Sequence, residues 1–357
     1  MRKILLLALG LLAVAYIVFS LAEIESILAT LRRTNPLYLV AAVVVEAVVL
    51  VNSAATFTAL YRLVGLHESR RRMFLMVAAG TFVSVIVPSG GMGGMAVFMD
   101  AARRRGLSTG RVVVVGVLYL VYEYASLLAV LAAGFVVLVR RDKLDGRELA
   151  AAGLLLALAG CIGVVLVVGY RSARQLGNLL AWLAHGVNRL LHPFVHRDWL
   201  SLSAAHEFAD EMGQGFSTLR LNRKHTALPL ALAMCNKVLL IAVLALSFLA
   251  LGTPFSSGTV VAGFSIGQLF FYVSPTPSGV GFVDSIMPVA LNTLNVPFTQ
   301  AVLVVLVYRT VTFWLPLGLG ALALRVLEKS LVAEPHLIES KQLALAAEAS
   351  LTSEPPD

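Results

Sequence analysis

Five ionisable residues stand inside otherwise apolar runs of this chain: Glu46, Glu123, Lys237, Asp284 and Arg309. A carboxylate there can hold a cationic headgroup or a coupling cation, and an ammonium or guanidinium can hold phosphate. Charges at bilayer depth are costly, so such residues face a partner or a cavity. Two glycine-rich interruptions lie near them, Pro88-Ser89-Gly90-Gly91-Met92-Gly93-Gly94 and Pro275-Thr276-Pro277-Ser278-Gly279-Val280-Gly281. Pro88 and Pro277 stop an incoming helix, while Gly90, Gly91, Gly93, Gly94, Gly279 and Gly281 permit tight turns and close backbone approach. The helix beginning after each break presents free N–H groups and a positive dipole end, which suits an anion such as a lipid phosphate. The competing explanations are a packing kink for each break and a structural ion pair for each charge. Tyr119, Tyr122 and Tyr124 crowd around Glu123, and Tyr308 adjoins Arg309, as hydrogen-bonding walls or as ordinary packing.

The elements that must position these residues are membrane helices. Of 357 residues, 59% are hydrophobic and 13% charged, with a mean hydropathy of +0.86. A soluble domain carries about a quarter charged residues, and several runs here reach the roughly 20 residues that span hydrocarbon. The pattern predicts an all-α polytopic membrane protein, with hydrophobic segments at about 4–21, 36–60, 73–88, 112–139, 149–170, 226–251, 258–274 and 298–324. Shorter stretches at 92–101 and 282–294 follow the glycine breaks. The segment 171–225 reads as amphipathic helices on the cytoplasmic surface, and 331–357 as a polar, partly disordered tail. Cys161 and Cys235 lie within apolar runs and imply no disulfide framework.

Charge distribution fixes the expected topology. If every segment crossed, Arg103, Arg104, Arg105 and Arg111 would lie opposite Arg62, Arg70, Arg71 and Arg72, against the positive-inside rule. If 73–88 and 92–101 form a re-entrant hairpin, and 258–274 and 282–294 another, both clusters are cytoplasmic. Six segments then cross fully, with both termini cytoplasmic. Outside remain Arg32, Arg33, Arg140, Arg141, Lys143 and Arg147, against twenty basic residues inside. The hairpins enter from opposite faces, which makes about 73–139 and about 258–324 an inverted-topology repeat. Tyr122-Glu123 and Tyr308-Arg309 then hold corresponding places, and the expectation is that Glu123 and Arg309 flank one central cavity. Asp284 opens the second outgoing helix, and Lys237 is expected to bind phosphate or neutralise Glu46.

No metal site or other cofactor is expected. His192 and His196 have an i, i+4 spacing, but Pro193 intervenes and the zinc-protease pattern is missing. The glycine runs lack the Lys-Ser/Thr of a phosphate-binding loop, and no nucleophile-base constellation stands out, so the chain reads as a transporter and not an enzyme. The net charge of +8 is explained by membrane topology, with no nucleic acid partner.

The stretch P-T-P-S-G-V-G-F-V-D (275–284), followed by A-V-L-V-V-L-V-Y-R-T-V-T-F-W-L-P-L-G-L-G (301–320), resembles the C-terminal signature of the lysylphosphatidylglycerol synthase transmembrane region, also called flippase-like or UPF0104. F-V-S-V-I-V-P-S-G-G-M-G-G (82–94), with A-R-R-R-G-L-S (102–108) and the Tyr122-Glu123 pair, resembles its N-terminal signature. The resemblance covers about 4–330. It implies a multi-pass domain of the inner (cytoplasmic) membrane that moves lipid between leaflets, with anionic phospholipid or polyprenyl-phosphate lipid as its partner. Alternatives are a membrane enzyme or accessory subunit of a lipid or polyprenyl-glycan pathway, and a scaffold for a separate transferase, with an oligomer compatible with any of them. The family pattern Pro-Gly-Gly-x-Gly-x-x-Glu is altered here, with Ser278 for the second residue and Asp284 for the acid. Met95 stands where the first motif often has an acid, which points to a substrate other than lysyl-phosphatidylglycerol.

Overall fold

The computed structural model describes residues 34–86, 93–140, 146–191, 210, 226–274 and 276–329. Pro88, Gly90, Gly91, the segment 4–21, the pair His192 and His196, and the tail 331–357 lie outside the described residues. All regular elements among the described residues are helical. We number them α1 (Pro36–Leu63), α2 (Arg70–Ile86), α3 (Met95–Arg104), α4 (Thr109–Arg140), α5 (Gly146–Arg171), α6 (Ala173–Leu191), α7 (Ala227–Ala250), α8 (Ser257–Val273), α9 (Phe282–Thr293) and α10 (Phe298–Arg309). α10 continues through a π turn, Thr310–Trp314, as one apolar helix to Lys329.

Local signals set the helix ends. Asn35 caps α1 by accepting the Leu37 N–H at 3.0 Å, with Pro36 in the first helical position, where its missing N–H is harmless. α1 stops at Gly65, whose φ of +72° lets its N–H reach Arg62 O and the Leu66 N–H reach Tyr61 O, the two bonds of a Schellman turn. The same pair of bonds closes α3 at Gly106, α7 at Gly252 and α9 at Asn295. Ser69, Ser108, Ser172 and Ser256 then cap the helices that follow through their hydroxyls.

By length and composition, α1, α4, α7 and the helix Phe298–Lys329 are long and apolar enough to cross a membrane, and α5 adds a further 26-residue helix. Leu37, Val40, Val44, Val48 and Val51 line one exposed face of α1. A continuous apolar stripe of this kind is matched to lipid, not to water.

The order of elements repeats. A 28-residue helix, a Schellman glycine, a serine cap, a 17-residue helix, a break, a 10-residue helix and a 32-residue helix run from α1 to α4. From α7 to the end of α10 the corresponding lengths are 24, 17, 12 and 32. The sequence motifs pair the stretches from 73 and 258 onward, and the order of helix lengths corresponds from α1 and α7 onward.

Contacts gather the chain into two compact units. The first is drawn from Met1–Val49, Leu127–Gly160 and Cys235–Leu315, and the second from Leu50–Ser126, Cys161–Met234 and Pro316–Asp357. The first contains the α8–α9 hairpin and the second the α2–α3 hairpin.

Candidate functional site

In the second unit, α2 and α3 pack antiparallel. Near the break, Gly94 approaches Gly80 so closely that a Cβ on Gly94 would lie 2.7 Å from Gly80 O and 2.7 Å from Ser84 Oγ. The Ser84 hydroxyl accepts the Gly94 N–H at 2.8 Å and donates to Gly80 O at 2.9 Å. One hydroxyl thus satisfies a backbone donor that the break leaves without a helical acceptor. At the opposite end Glu68, its side chain only 3% exposed, pairs with Arg72 of α2 and with Arg105 just beyond α3. This ties the outer ends of both helices together, and brings the basic clusters around 62–72 and 103–111 to one end of the hairpin.

A cavity of about 190 Å³ lies against this break. Its walls are Leu50, Phe57, Val77, Phe98 and Leu120, with Ser53, Thr81, Ser84 and Tyr119 supplying hydroxyls. Phe57 stacks on Phe98 and on Tyr119, each at 4.6 Å between ring centroids. Gly94, Gly116 and Met95 complete the lining. No charged side chain lines it, so it offers apolar contact and neutral hydrogen bonds. Glu123 lies one turn beyond Tyr119 on α4 and interacts electrostatically with both Tyr119 and Tyr124. Tyr122 is buried, and its hydroxyl has no hydrogen-bond partner among the described residues. Gly93 is placed by its carbonyl, which accepts the Ala96 N–H in the first turn of α3.

In the first unit, α8 and α9 also pack antiparallel. Gly263 and Gly267 of α8 face Leu291 and Met287 of α9, and Gly279 faces Phe271. Small residues four apart let helices approach without a clash. The turn between them is a single 3₁₀ turn, Pro277–Gly279, with Ser278, Gly279 and Gly281 all at positive φ. α9 and α10 fold back on each other through Asn295, which carries Asp284 in the first turn of α9 to Arg309 at the end of α10. Arg309 donates from Nε to Asp284 Oδ1 at 2.8 Å and from Nη2 to Ser278 O at 3.3 Å. The other oxygen of Asp284 accepts the Gly281 N–H at 2.8 Å. The guanidinium lies 4.7 Å from the ring centre of Phe313. Arg309 is 6% exposed and Asp284 is half-buried, so this is a desolvated, hydrogen-bonded pair that clamps the broken turn.

The partnerships expected from the sequence are thereby revised. Arg309 is committed to Asp284 within its own unit rather than to Glu123. Lys237, buried at 2% exposure, donates to the Tyr272 hydroxyl at 3.4 Å and lies 5.5 Å from that ring's centre. It does not neutralise Glu46, which forms no ion pair among the described residues. Tyr308 is buried on α10, with Gln268 and Thr312 at its hydroxyl and Glu46 within electrostatic reach. The sequence reading missed Ser84 and Glu68. The signal for Glu68 was its place just before Arg70-Arg71-Arg72, with a second arginine run following α3.

A family model described as the lysylphosphatidylglycerol synthase TM region matches residues 4–320. A UPF0104 membrane protein of Methanocaldococcus jannaschii is 24% identical over 317 residues, covering 86% of this chain and 90% of that protein. A UPF0104 membrane protein of Methanothermobacter thermautotrophicus is 22% identical over 326 residues, covering 89% and 94%.

Proposed function

Because the chain belongs to the lysylphosphatidylglycerol synthase transmembrane family, a family of multi-pass membrane proteins, we propose that it is a transporter of the flippase-like type and not an enzyme. It moves a phospholipid or isoprenoid-linked lipid headgroup between leaflets of the inner membrane. The observation that supports this reading is two helical hairpins in matching element order, the second joined by a turn with positive-φ backbone beside the Arg309–Asp284 pair. Irregular backbone at membrane depth is tolerated where protein or a wet cavity surrounds it. α3 and α9, at 10 and 12 residues, rise only about 15–18 Å, half of the roughly 30 Å hydrocarbon core. This shortness supports hairpins that return to the face they entered from, and the charge bias of the loops supports an inverted pair.

The two breaks differ in chemistry, which supports a lipid substrate. The cavity beside Gly94, apolar with four hydroxyls, suits the chain and ester region of a lipid. The Arg309–Asp284 pair suits a headgroup carrying both signs. A phosphate can take the guanidinium while the freed carboxylate receives a cationic substituent, so the clamp opens as substrate binds. Glu123, beyond the cavity wall, is a second carboxylate for a cationic group. Reconstitution into vesicles with a fluorescent lipid in one leaflet tests this: the wild type accelerates exchange, and the Arg309→Ala, Glu123→Ala double variant does not. Normal exchange by a folded double variant removes those residues from the mechanism, and absence of exchange by the wild type with phospholipid and polyprenyl-phosphate probes alike removes the transport reading.

A further inference from the structure

We propose that Glu46 holds a monovalent cation, a proton or sodium, inside the first unit, and that this cation is released and retaken as the protein works. The second half of the statement rests on the transport reading; the first does not. Glu46 is the eleventh residue of α1, about 15 Å from its start, and so near the middle of a hydrocarbon core of roughly 30 Å. It is 3% exposed. Its Oε2 is buried with no hydrogen-bond partner, and no described residue forms an ion pair with it. A bare carboxylate in this position is far too costly to persist. Something positive must accompany it.

The other charged and titratable groups buried in this unit already have partners. Arg309 is bound to Asp284, and Lys237 to Tyr272. Tyr308 is the titratable group within electrostatic reach of Glu46, and its hydroxyl is turned to Gln268 and Thr312. These are neutral oxygen-bearing side chains, able to share a small hard cation or relay a proton, and none supplies a fixed positive charge. Among the described residues of this unit, Glu46 is the buried carboxyl that has a side-chain oxygen without a hydrogen-bond partner and no ion pair. A structural carboxyl would be expected to spend both oxygens on hydrogen bonds. A buried carboxyl with an oxygen left open, within electrostatic reach of Tyr308, is an arrangement that suits an exchangeable cation.

The test uses the full chain in lipid vesicles, with infrared difference spectra of wild type, Glu46→Gln and Glu46→Asp. One pair of spectra compares two pH values, and the other compares sodium with potassium at constant pH. The expected result is a carboxyl band change in the wild type that is lost in Glu46→Gln and shifted in Glu46→Asp. Its appearance in the first pair identifies a proton, and in the second sodium. Identical difference spectra for wild type and Glu46→Gln overturn the proposal. The coupled step is read separately, by lipid exchange under an imposed proton or sodium gradient. Acceleration by one gradient that falls to none in Glu46→Gln, with gradient-free exchange retained, supports coupling, and wild-type exchange indifferent to both gradients overturns it. If the wild type exchanges no lipid at all, the transport reading has failed and the spectra still decide whether Glu46 binds a cation.

Discussion

The ion pair across the second break makes a quantitative prediction. Arg309→Ala leaves the half-buried Asp284 with the Gly281 N–H as its remaining hydrogen bond. Asp284→Ala leaves a guanidinium whose side chain is 7% exposed facing Phe313. Removing one partner of a buried pair costs about 3–5 kcal/mol, because the other charge remains desolvated. Asp284 retains some solvent, which places Arg309→Ala near 3 kcal/mol, the low end of that range. Asp284→Ala falls nearer 4 kcal/mol, since the Arg309 charge is the deeper of the two and a capping bond of about 1 kcal/mol goes with it. The double variant leaves neither charge stranded. It should cost no more than the worse single, a coupling of about 3 kcal/mol. Arg309→Lys should rescue little, since an ammonium cannot span both Asp284 and the Ser278 carbonyl as the planar fork does. Equilibrium unfolding in detergent, followed by tryptophan fluorescence with Trp314 in the adjoining π turn, measures all four proteins. Additive single effects would show that the two side chains are neighbours rather than a clamp, and would refute the reasoning.

Three further outcomes are expected. Gly94→Ala puts a methyl against a backbone carbonyl and the Ser84 hydroxyl and should destabilise by about 1–3 kcal/mol, whereas a methyl on Gly116 meets the flexible end of Met95 and should cost less than about 1 kcal/mol; thermal stability of the two variants in one detergent separates them. Glu68→Ala leaves Arg72 and Arg105 without their shared carboxylate, so proteolysis between α3 and α4 should accelerate several-fold. Added salt should change that gap little, because the Glu68 carboxylate is buried and buried pairs are screened far less than exposed ones. Ser278, at φ 52°, occupies a left-handed conformation that costs a non-glycine residue about 1 kcal/mol, so Ser278→Gly should raise stability by up to that amount in the same unfolding assay.

Much of this architecture was written in the sequence. The apolar segments predicted at 36–60, 112–139 and 226–251 are α1, α4 and α7 to within three residues at either end, because hydropathy reports what lipid must cover and the Gly and Ser signals report where coverage ends. The second break was legible because proline and glycine act locally: Pro277 opens the turn and Gly279 and Gly281 take positive φ. Partner choice was not. Glu123 and Arg309 hold corresponding motif positions, but correspondence between repeats is a statement about ancestry and not about contact. Asp284 reaches Arg309 because α9 and α10 fold back through the Asn295 turn, setting a first-turn residue beside a last-turn one. Lys237 finds Tyr272 across 35 residues of chain, a long-range packing outcome that no local pattern encodes. Ser84 was invisible for a different reason: a serine inside an apolar helix has no signature until the backbone it serves is seen.

The two repeats each hold a full set of elements, yet neither unit is built from one repeat. α1 gives Pro36–Val49 to the first unit and Leu50–Leu63 to the second, and α4, α5 and α7 are likewise divided. A chain containing only the first repeat would carry all its own caps and stops and still lack half the surfaces its long helices pack upon. A change in any one of these divided helices therefore reaches both units.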